Sequence, residues 1–333
     1  MANTRFFNST RRTVLGGLAV AVSAPALLRR VHAAPLPELV LHGPPAGPSV
    51  TLAVAASSGA LREVADKVSF RVWRNPDEMR AGLTSGTMDL TVMPATAAAN
   101  LYNRDFGLRL VNVMTEGLLY VVSTDPSIEG IAGLAGKRVV VPFRNDTPDI
   151  VLSRLLAGAG LEPGRDLTLE TAGTPIEAMQ MLLAGRIDAA LVPEPAASAA
   201  IVRGKAAGVD VHRVIDIQNE WAALPGGAQS LPQAGLAVRE SFLESHPERV
   251  AAIHEALVAA TRTVKSDPAR AANAAASALE MPWPVLEQSI PHSNLAARRA
   301  SEARDTLESM YGLIAEVDPA KIGGRLPDAA FYL

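Results

Sequence analysis

The stretch GTMDLTVMPATAAA at residues 86–99 decides the fold, because nearly the same pattern returns as GRIDAALVPEPAAS at residues 185–198. In both copies a glycine precedes an aspartate and a short apolar run, which ends at a proline followed by an alanine-rich segment. The match starts upstream at Pro76 and Pro175, each 13 positions before the aspartate (89 − 76 and 188 − 175). Two copies this far apart predict two similar domains, since a solenoid needs three or more short repeats.

Around each copy, predicted strands alternate with predicted helices. In the first half, strands at 68–73 and 88–93 flank a helix that begins at Pro76, where proline suits the first helical position. An earlier helix is predicted over residues 50–60, with Ser49 as its N-cap. The second half repeats this order, and its predicted strands are residues 139–141, 167–170 and 187–192. This alternation favours an α/β class in which helices cover mostly parallel sheets.

The carboxyl ends of these strands are the expected binding edge, because ligands of open parallel sheets bind there and at helix N-termini. Two such ends come from each half of the chain: residues 42–49, 94–96, 142–147 and 193–195. We expect them to face each other across a cleft.

Composition limits the classes of partner. The formal net charge is −3, and the first 33 residues hold five arginines and no acidic residue, so the remainder is near −8 (26 − 34). This balance argues against nucleic acid or an anionic membrane as partner. The chain has no cysteine, which excludes disulfides, thiolate metal sites and a lipid-modified cysteine.

The N-terminal 33 residues have the pattern of an export signal. Arg11 and Arg12 precede an apolar run at residues 14–28, which is shorter than the roughly 20 residues that a membrane span needs. Val31-His32-Ala33 fits cleavage after Ala33, and the paired arginines resemble the twin-arginine motif. The alternatives are an ordinary signal peptide or an uncleaved anchor. We expect a periplasmic protein without a lipid anchor.

Four segments resemble a solute-binding protein of an ABC importer, of the nitrate/sulfonate/taurine and thiamine-precursor type. They are LTSGTMDLTVMPATAAANLYNR, LAGKRVVVP, MLLAGRIDAALVPEPAASAAI and SHPERVAAIHEAL, and the similarity covers about residues 39–286. The pattern Leu-x-x-Gly-x-x-Asp-Ala before Glu-Pro is recurrent in that family and stands here at residues 182–195.

The resemblance implies a two-lobed periplasmic-binding-protein fold of type II, in which each lobe is a parallel-rich sheet flanked by helices and hinge strands join the lobes. Residues 34–123 and 234–333 would form lobe 1, and residues 124–233 lobe 2. The implied function is capture of a small molecule for an ABC permease and ATPase, by a monomer without cofactor or catalysis. Sulfonate-like or other organic anions are the first expectation for the ligand, and heterocyclic amines the second.

One departure from the family pattern bears on the ligand. An aromatic residue often stands on each side of the Glu-Pro pair, but here the neighbours are Pro193 and Ala196. Stacking of an aromatic ligand at that point is therefore less favoured.

The candidate ligand-binding residues lie at the predicted strand ends and near the returning hinge. They are Pro44, Pro45, Ser49, Ala95, Thr96, Asn145, Thr147, Glu194 and Trp221. Most have a structural alternative: the hydroxyls cap helices, Glu194 caps the helix after Pro195, and Trp221 covers the hinge. Asp146 would oppose an anion at this edge.

Two other functions stay open. A binding protein without its own transporter would act as a sensor or deliver ligand to a receptor. An enzyme on the same fold is the weaker alternative, because the six histidines lack metal-ligand spacing and no nucleophile elbow, P-loop or dinucleotide motif is present.

Overall fold

Two β-sheets are built from the strands of residues 34–333, the part of the chain that the computed structural model describes. The strands are β1 (Leu36–Gly43), β2 (Ala65–Val72), β3 (Leu90–Pro94), β4 (Leu108–Leu110), β5 (Asn112–Thr115), β6 (Leu119–Ser123), β7 (Arg138–Pro142), β8 (Thr168–Ala172), β9 (Ala189–Pro193), β10 (His212–Asp216), β11 (Ala234–Arg239) and β12 (Leu295–Arg299). The export signal predicted from Arg11, Arg12 and Ala33 lies outside the described residues.

The α-helices alternate with these strands in the first two thirds of the chain and dominate the last third. They are α1 (Gly47–Ser57), α2 (Pro76–Ser85), α3 (Ala95–Asn103), α4 (Thr147–Gly158), α5 (Pro175–Leu183), α6 (Ala196–Ala206), α7 (Ile217–Ala222), α8 (Glu240–Ser245), α9 (Pro247–Ser266), α10 (Pro268–Leu279), α11 (Trp283–Ser289) and α12 (Arg304–Ala315). No helix within residues 34–333 has both the length and the apolar character that a membrane crossing requires.

The two sheets share the topology of their central strands, in which β11-β3-β1-β2 corresponds to β6-β9-β7-β8. The first has the order β12-β5-β11-β3-β1-β2, with β4 paired to β11, and the second has the order β10-β6-β9-β7-β8. In the first, β1 runs parallel to β2 and β3, and β11 runs antiparallel to β3. In the second, β7 runs parallel to β8 and β9, and β6 runs antiparallel to β9. The doubled sequence pattern therefore forms β3 in one sheet and β9 in the other, and the predicted two-lobed α/β fold is confirmed.

The division of the chain between the sheets differs from the predicted boundary at one point. The family resemblance implies that residues 34–123 belong to the first lobe, but β6 pairs with β9 in the second sheet, with Leu119 opposite Pro193. The chain therefore crosses from the first sheet to the second at residues 116–118 and returns at residues 231–233. Local pattern did not show this, because β5 and β6 are both short buried strands with only a turn between them.

Local capping explains why α2 and α5 begin at the two matched prolines. The side chain of Asn75 accepts a hydrogen bond from Glu78 N at 2.9 Å, and that of Thr174 accepts one from Glu177 N at 3.1 Å. In each copy the glutamate side chain accepts a hydrogen bond from the backbone N–H of the residue just before the cap, at 2.7 Å. These are variants of the capping box, so the matched prolines and glutamates of the repeat are helix-start signals.

Two predicted elements need correction. Helix α1 begins at Gly47 with Ala46 as its N-cap, so Ser49 lies inside the first turn and caps nothing. The Ser49 hydroxyl fills the space beside Gly43, where an added Cβ would come within 2.4 Å of it. The mostly helical C-terminal third also contains β12, which the sequence did not predict.

The apolar core is continuous between the sheets. One buried cluster includes Met93 and Val113 of the first sheet, and Val121 and Val139 of the second. Each sheet has one further cluster of its own, which includes Leu41 and Leu90 in the first sheet and Val122 and Val140 in the second. The shared cluster therefore packs the two sheets against each other.

Candidate functional site

A cavity of about 110 Å³ lies between the two sheets at the carboxyl ends of their parallel strands. We call it the central cleft. Its lining comes from both halves of the chain and consists of Pro44, Pro45, Ala46, Trp73, Arg74, Pro76, Pro94, Leu118, Leu119, Phe143, Asp146, Thr147, Pro148, Pro175, Pro193, Gln233 and Ala234. The predicted strand ends do meet around one cavity.

Seven prolines make this lining unusually poor in hydrogen-bond donors. Proline has no backbone N–H, and it occupies the first or second position of α1, α2, α4 and α5. The helix N-termini that would otherwise present N–H groups to an anion are therefore weakened as donors. Of the predicted residues, Pro44, Pro45 and Thr147 line the central cleft.

The polar groups of the lining are mostly engaged with protein partners. Trp73 donates its Nε1 hydrogen to Thr91 Oγ1 at 3.0 Å and to Val92 O at 3.2 Å. Arg74 is paired with Glu280 at 2.7 Å, and no other basic residue lines the cleft among the described residues. The central cleft accordingly has an apolar surface without an unpaired cation.

A hydrogen bond between Thr96 and Thr147 joins the two lobes beside the cleft. Their hydroxyl oxygens are 2.6 Å apart, and both side chains are buried. Thr96 stands at the start of α3 and Thr147 at the start of α4, so the strand ends of the two halves touch here. The structure therefore brings the two predicted threonines together, each bonded to the other.

Behind the threonine pair lies a second cavity of about 130 Å³, which we call the polar compartment. Its lining consists of Arg80, Thr96, Ala97, Asn100, Leu101, Asn145, Asp146, Ile150, Ala320 and Lys321. The Lys321 ammonium donates to Asn145 Oδ1 at 2.9 Å and so links the C-terminal segment to the second lobe. Asn145 thus lies in this compartment rather than in the central cleft.

Asp146 borders both cavities, a position that the sequence did not reveal. It is the N-cap of α4, and its Oδ1 accepts from Thr147 N at 2.7 Å. Its Oδ2 faces Arg80 of the first lobe at 3.5 Å. Burial raises the pKa of this carboxyl, while the bond from Thr147 and the charge of Arg80 act in the opposite direction.

Glu194 takes the structural role that the sequence left open. Its side chain is 0% exposed; Oε2 accepts from Ser198 N at 3.1 Å at the start of α6, and Oε1 accepts from Arg213 Nε at 2.8 Å. A second guanidinium nitrogen of Arg213 also bonds Oε1. Both carboxylate oxygens of Glu194 are therefore hydrogen-bonded within the second lobe. Glu194 does not line the central cleft, where the sequence had placed it as a ligand contact.

Three further predicted residues do not line the cleft. Ser49 is enclosed in α1. Trp221 is fully buried in the core cluster shared by the two sheets. The backbone N–H of Ala95 donates to Gln233 O at 2.9 Å, and its carbonyl accepts from the hydroxyl of Tyr311 at 3.1 Å. The partners of Ala95 are distant in the sequence, so the local pattern gave no indication of its role.

An apolar groove of about 220 Å³ adjoins the central cleft, with which it shares Pro45, Arg74 and Pro175. We call it the side groove. Met179 of α5 and Met281 after α10 contribute to its walls, so it too lies between the lobes. Within residues 34–333, no group of three or more His, Asp or Glu side chains is arranged to hold a metal ion.

Comparison with known proteins gives the family. The model of the NMT1-like family matches residues 45–279, more than two thirds of the chain, and the protein therefore belongs to this family. No curated protein matches the chain.

Solved structures share the fold over most of the chain. A crystal structure of an ABC transporter from Parabacteroides distasonis is 26% identical with a TM-score of 0.71, covering 90% of this chain and 98% of that one. The periplasmic aliphatic sulphonate binding protein SsuA from Escherichia coli is 18% identical with a TM-score of 0.67, covering 88% and 98%. The periplasmic nitrate-binding protein NrtA from Synechocystis PCC 6803 is 13% identical with a TM-score of 0.63, covering 76% and 70%.

Proposed function

We propose that this protein is the substrate-binding component of an ABC importer. It is exported to the periplasm, captures a small organic molecule in the central cleft, and delivers it as a monomer to an inner-membrane permease and ATPase. The observation that carries the proposal is the cleft itself, which equivalent strand ends of two topologically matched sheets enclose. Membership of the NMT1-like family and the likeness to the P. distasonis ABC transporter support the same function.

The lining of the cleft favours a molecule with a largely apolar surface. Its single basic residue, Arg74, is engaged with Glu280, and its prolines remove backbone donors. A sulfonate or other anion placed there would lose its hydration without a compensating charge, which is costly. Heterocyclic amines, the second expectation from the sequence, therefore fit the central cleft better than the anions that were the first.

An organic anion remains as a second candidate because of the polar compartment. Arg80 and Lys321 lie in its lining, and Thr96 and Thr147 separate it from the central cleft. A ligand that parts the two threonines would place an apolar body in the cleft and an acidic group beside these cations. If the ligand is such an anion, Arg80→Gln and Lys321→Gln should each lose binding. The affinity for an apolar ligand confined to the cleft should change in neither variant.

Closure of the lobes is the proposed mechanism of capture. The cleft is complete only when Pro44 and Pro45 of the first lobe face Thr147 and Phe143 of the second. A ligand shifts the balance between open and closed forms only by its different affinity for the two forms. Ligand should therefore reduce the radius of gyration measured by solution X-ray scattering, and an unchanged radius at saturation would contradict capture by closure.

Native mass spectrometry of residues 34–333, purified from the periplasm without refolding, tests the proposal. We expect a retained small molecule in the wild type and in Ala60→Trp, which changes an exposed site. Ala46→Trp places an indole in the cleft and should abolish retention. Equal retention in Ala46→Trp and Ala60→Trp would exclude the central cleft as the binding site. Undiminished uptake of the retained molecule by cells that lack the gene would exclude the transport role.

Export is tested separately at the N-terminus. The mature protein should begin at Ala34, and joint replacement of Arg11 and Arg12 by lysine should block its export. N-terminal sequencing of the periplasmic form checks cleavage. Normal export of the double variant would point to the general secretion route instead.

A further inference from the structure

Gln233 occupies the point where the chain returns from the second lobe to the first. It immediately precedes β11 and is only 4% exposed, yet it contributes to the lining of the central cleft. The crossing segments contact each other here, since Leu231 N donates to Glu116 O at 3.0 Å. The atoms of such a side chain that are shut off from water need hydrogen-bond partners within the protein.

One half of that amide is fixed by the protein. Leu118 N donates to Gln233 Oε1 at 2.8 Å, and because a backbone N–H can only donate, the side-chain oxygen must be the atom that faces Leu118. The amide is planar, so its NH₂ group must point elsewhere. Gln233 Nε2 makes no hydrogen bond to the described residues, and it is not one of their fully buried unpartnered atoms, so it is open to the cleft that Gln233 lines. The backbone carbonyl of Gln233 accepts from Ala95 N at 2.9 Å.

The other uncharged side-chain donors of the lining are already bonded. Trp73 Nε1 donates to Thr91 and Val92, and the hydroxyl of Thr147 is bonded to that of Thr96. Arg74 keeps further guanidinium donors, but it is charged and its ion pair with Glu280 is largely exposed. Gln233 Nε2 is therefore the uncharged side-chain donor of the cleft lining that has no hydrogen bond to the described residues.

We propose that Gln233 determines specificity by donating a hydrogen bond to the ligand, so that the natural ligand is an apolar molecule carrying an uncharged acceptor such as a carbonyl, ether or ring nitrogen. The inference rests on the proposed function of the central cleft. A ligand without an acceptor leaves a buried N–H unsatisfied, which disfavours it relative to an isostere that has one. The rest of its surface is matched by the prolines, Trp73 and Phe143.

Two probes of nearly the same shape test the proposal, acetophenone with a carbonyl acceptor and α-methylstyrene with a methylene group in its place. The ratio of their dissociation constants for residues 34–333 is measured by ligand-observed NMR titration. We expect acetophenone to bind about two- to tenfold more tightly, the range that one neutral hydrogen bond provides. Benzoate should bind more weakly than acetophenone, since the cleft has no unpaired cation.

The variants separate recognition from folding. Gln233→Glu keeps an oxygen for Leu118 N but replaces the donor by a second acceptor, and Gln233→Met removes both; each should abolish the preference for acetophenone. Gln218→Glu is the matched control, because Gln218 also lies at the hinge and accepts from Asn294, at 3.0 Å, but does not line the cleft. Its preference should equal that of the wild type. Thermal melts check the fold of all three, and either Gln233 variant suffices if the other fails to fold.

Failure of acetophenone to bind the wild type, equal binding of the two probes, or a preference that survives in a folded Gln233 variant would each overturn the inference. A compound retained in native mass spectra together with any of these results would leave the proposed function standing. A normal probe ratio without any retained compound would instead support Gln233 as a donor and count against capture.

Discussion

The two copies of the repeated pattern form the same strand and helix starts, but the residue that follows the strand has a different role in each copy. Asp89 and Asp188 precede β3 and β9, and each forms an ion pair with an arginine of a neighbouring strand or its start. After the matched prolines the copies diverge, since Ala95 stands where the second copy has Glu194. In the first lobe the backbone of Ala95 bonds Gln233 and Tyr311, whereas in the second lobe Glu194 is locked to Arg213.

This difference shows that the shared residues specify strands and helix starts, while the position just after the strand is free to take a local role. The capping residues and aspartates recur because each half must form the same turn from strand to helix. The cleft does not require a carboxylate at that turn, and the one in the second lobe stabilises its own lobe. The comparison therefore predicts unequal effects at the diverged position and equal effects at the shared ones.

The largest expected effect is at Glu194. Glu194→Ala leaves Arg213 mostly buried without its partner, which should lower the free energy of unfolding by about 3–5 kcal/mol. Urea unfolding of the variant and the wild type measures the loss. Asp89→Ala, which breaks a partly exposed pair, is the control and should cost about 0.2–1 kcal/mol. A loss at Glu194 no larger than that at Asp89 would show that the buried pair is dispensable.

The helix caps should show equal effects in the two lobes. Asn75→Ala and Thr174→Ala each remove the side-chain acceptor at the start of a matched helix, and each should cost about 0.5–2 kcal/mol. Paired thermal melts give both values. If only one replacement is costly, the two helix starts are not equivalent, and the repeated sequence does not imply equal local stability.

The threonine pair joins the lobes, so its removal should weaken the closed form. Thr96→Val deletes one hydroxyl and leaves that of Thr147 without this partner, at an expected cost of about 0.5–1.5 kcal/mol. Replacing both threonines by valine should restore most of the loss, because no polar group is then left unsatisfied. A double-mutant cycle in unfolding free energy tests this, and strictly additive losses would contradict a direct bond.

The smallest expected effect is a pH dependence that comes from Asp146. Burial raises the pKa of this carboxyl in the folded protein above the value near 3.9 of an unfolded chain. The folded state therefore binds the proton more tightly, and this group's contribution to stability falls as the pH rises from about 4 through the raised pKa. Asp146→Asn keeps an N-cap residue but cannot ionise, so its unfolding free energy should fall less over that pH range. A steeper fall in the variant would reverse the assigned sign.

How much of the structure the sequence predicts depends on how far apart in the chain the interacting residues lie. The start of α2 at Pro76 was predictable because its cap, Asn75, and its glutamate lie within four residues. The boundary between the sheets near residue 117 was not, because it depends on whether β6 pairs with β9 or with a strand of the first sheet. The helix at Ser49 was placed three residues too late, because its N-cap, Ala46, carries no side-chain signal.

The sequence by itself determined that the chain contains two matched α/β halves, and it predicted that their strand ends face each other across a cleft. Hydrophobic periodicity and helix caps are local, so they can be recognised without a structure. The tertiary structure alone decided which side chains face the cleft. Glu194 turns inward because Arg213 comes from another strand, and the Gln233 amide is oriented by Leu118, 115 positions away in the chain. Such orientations depend on partners that only folding brings within hydrogen-bonding distance.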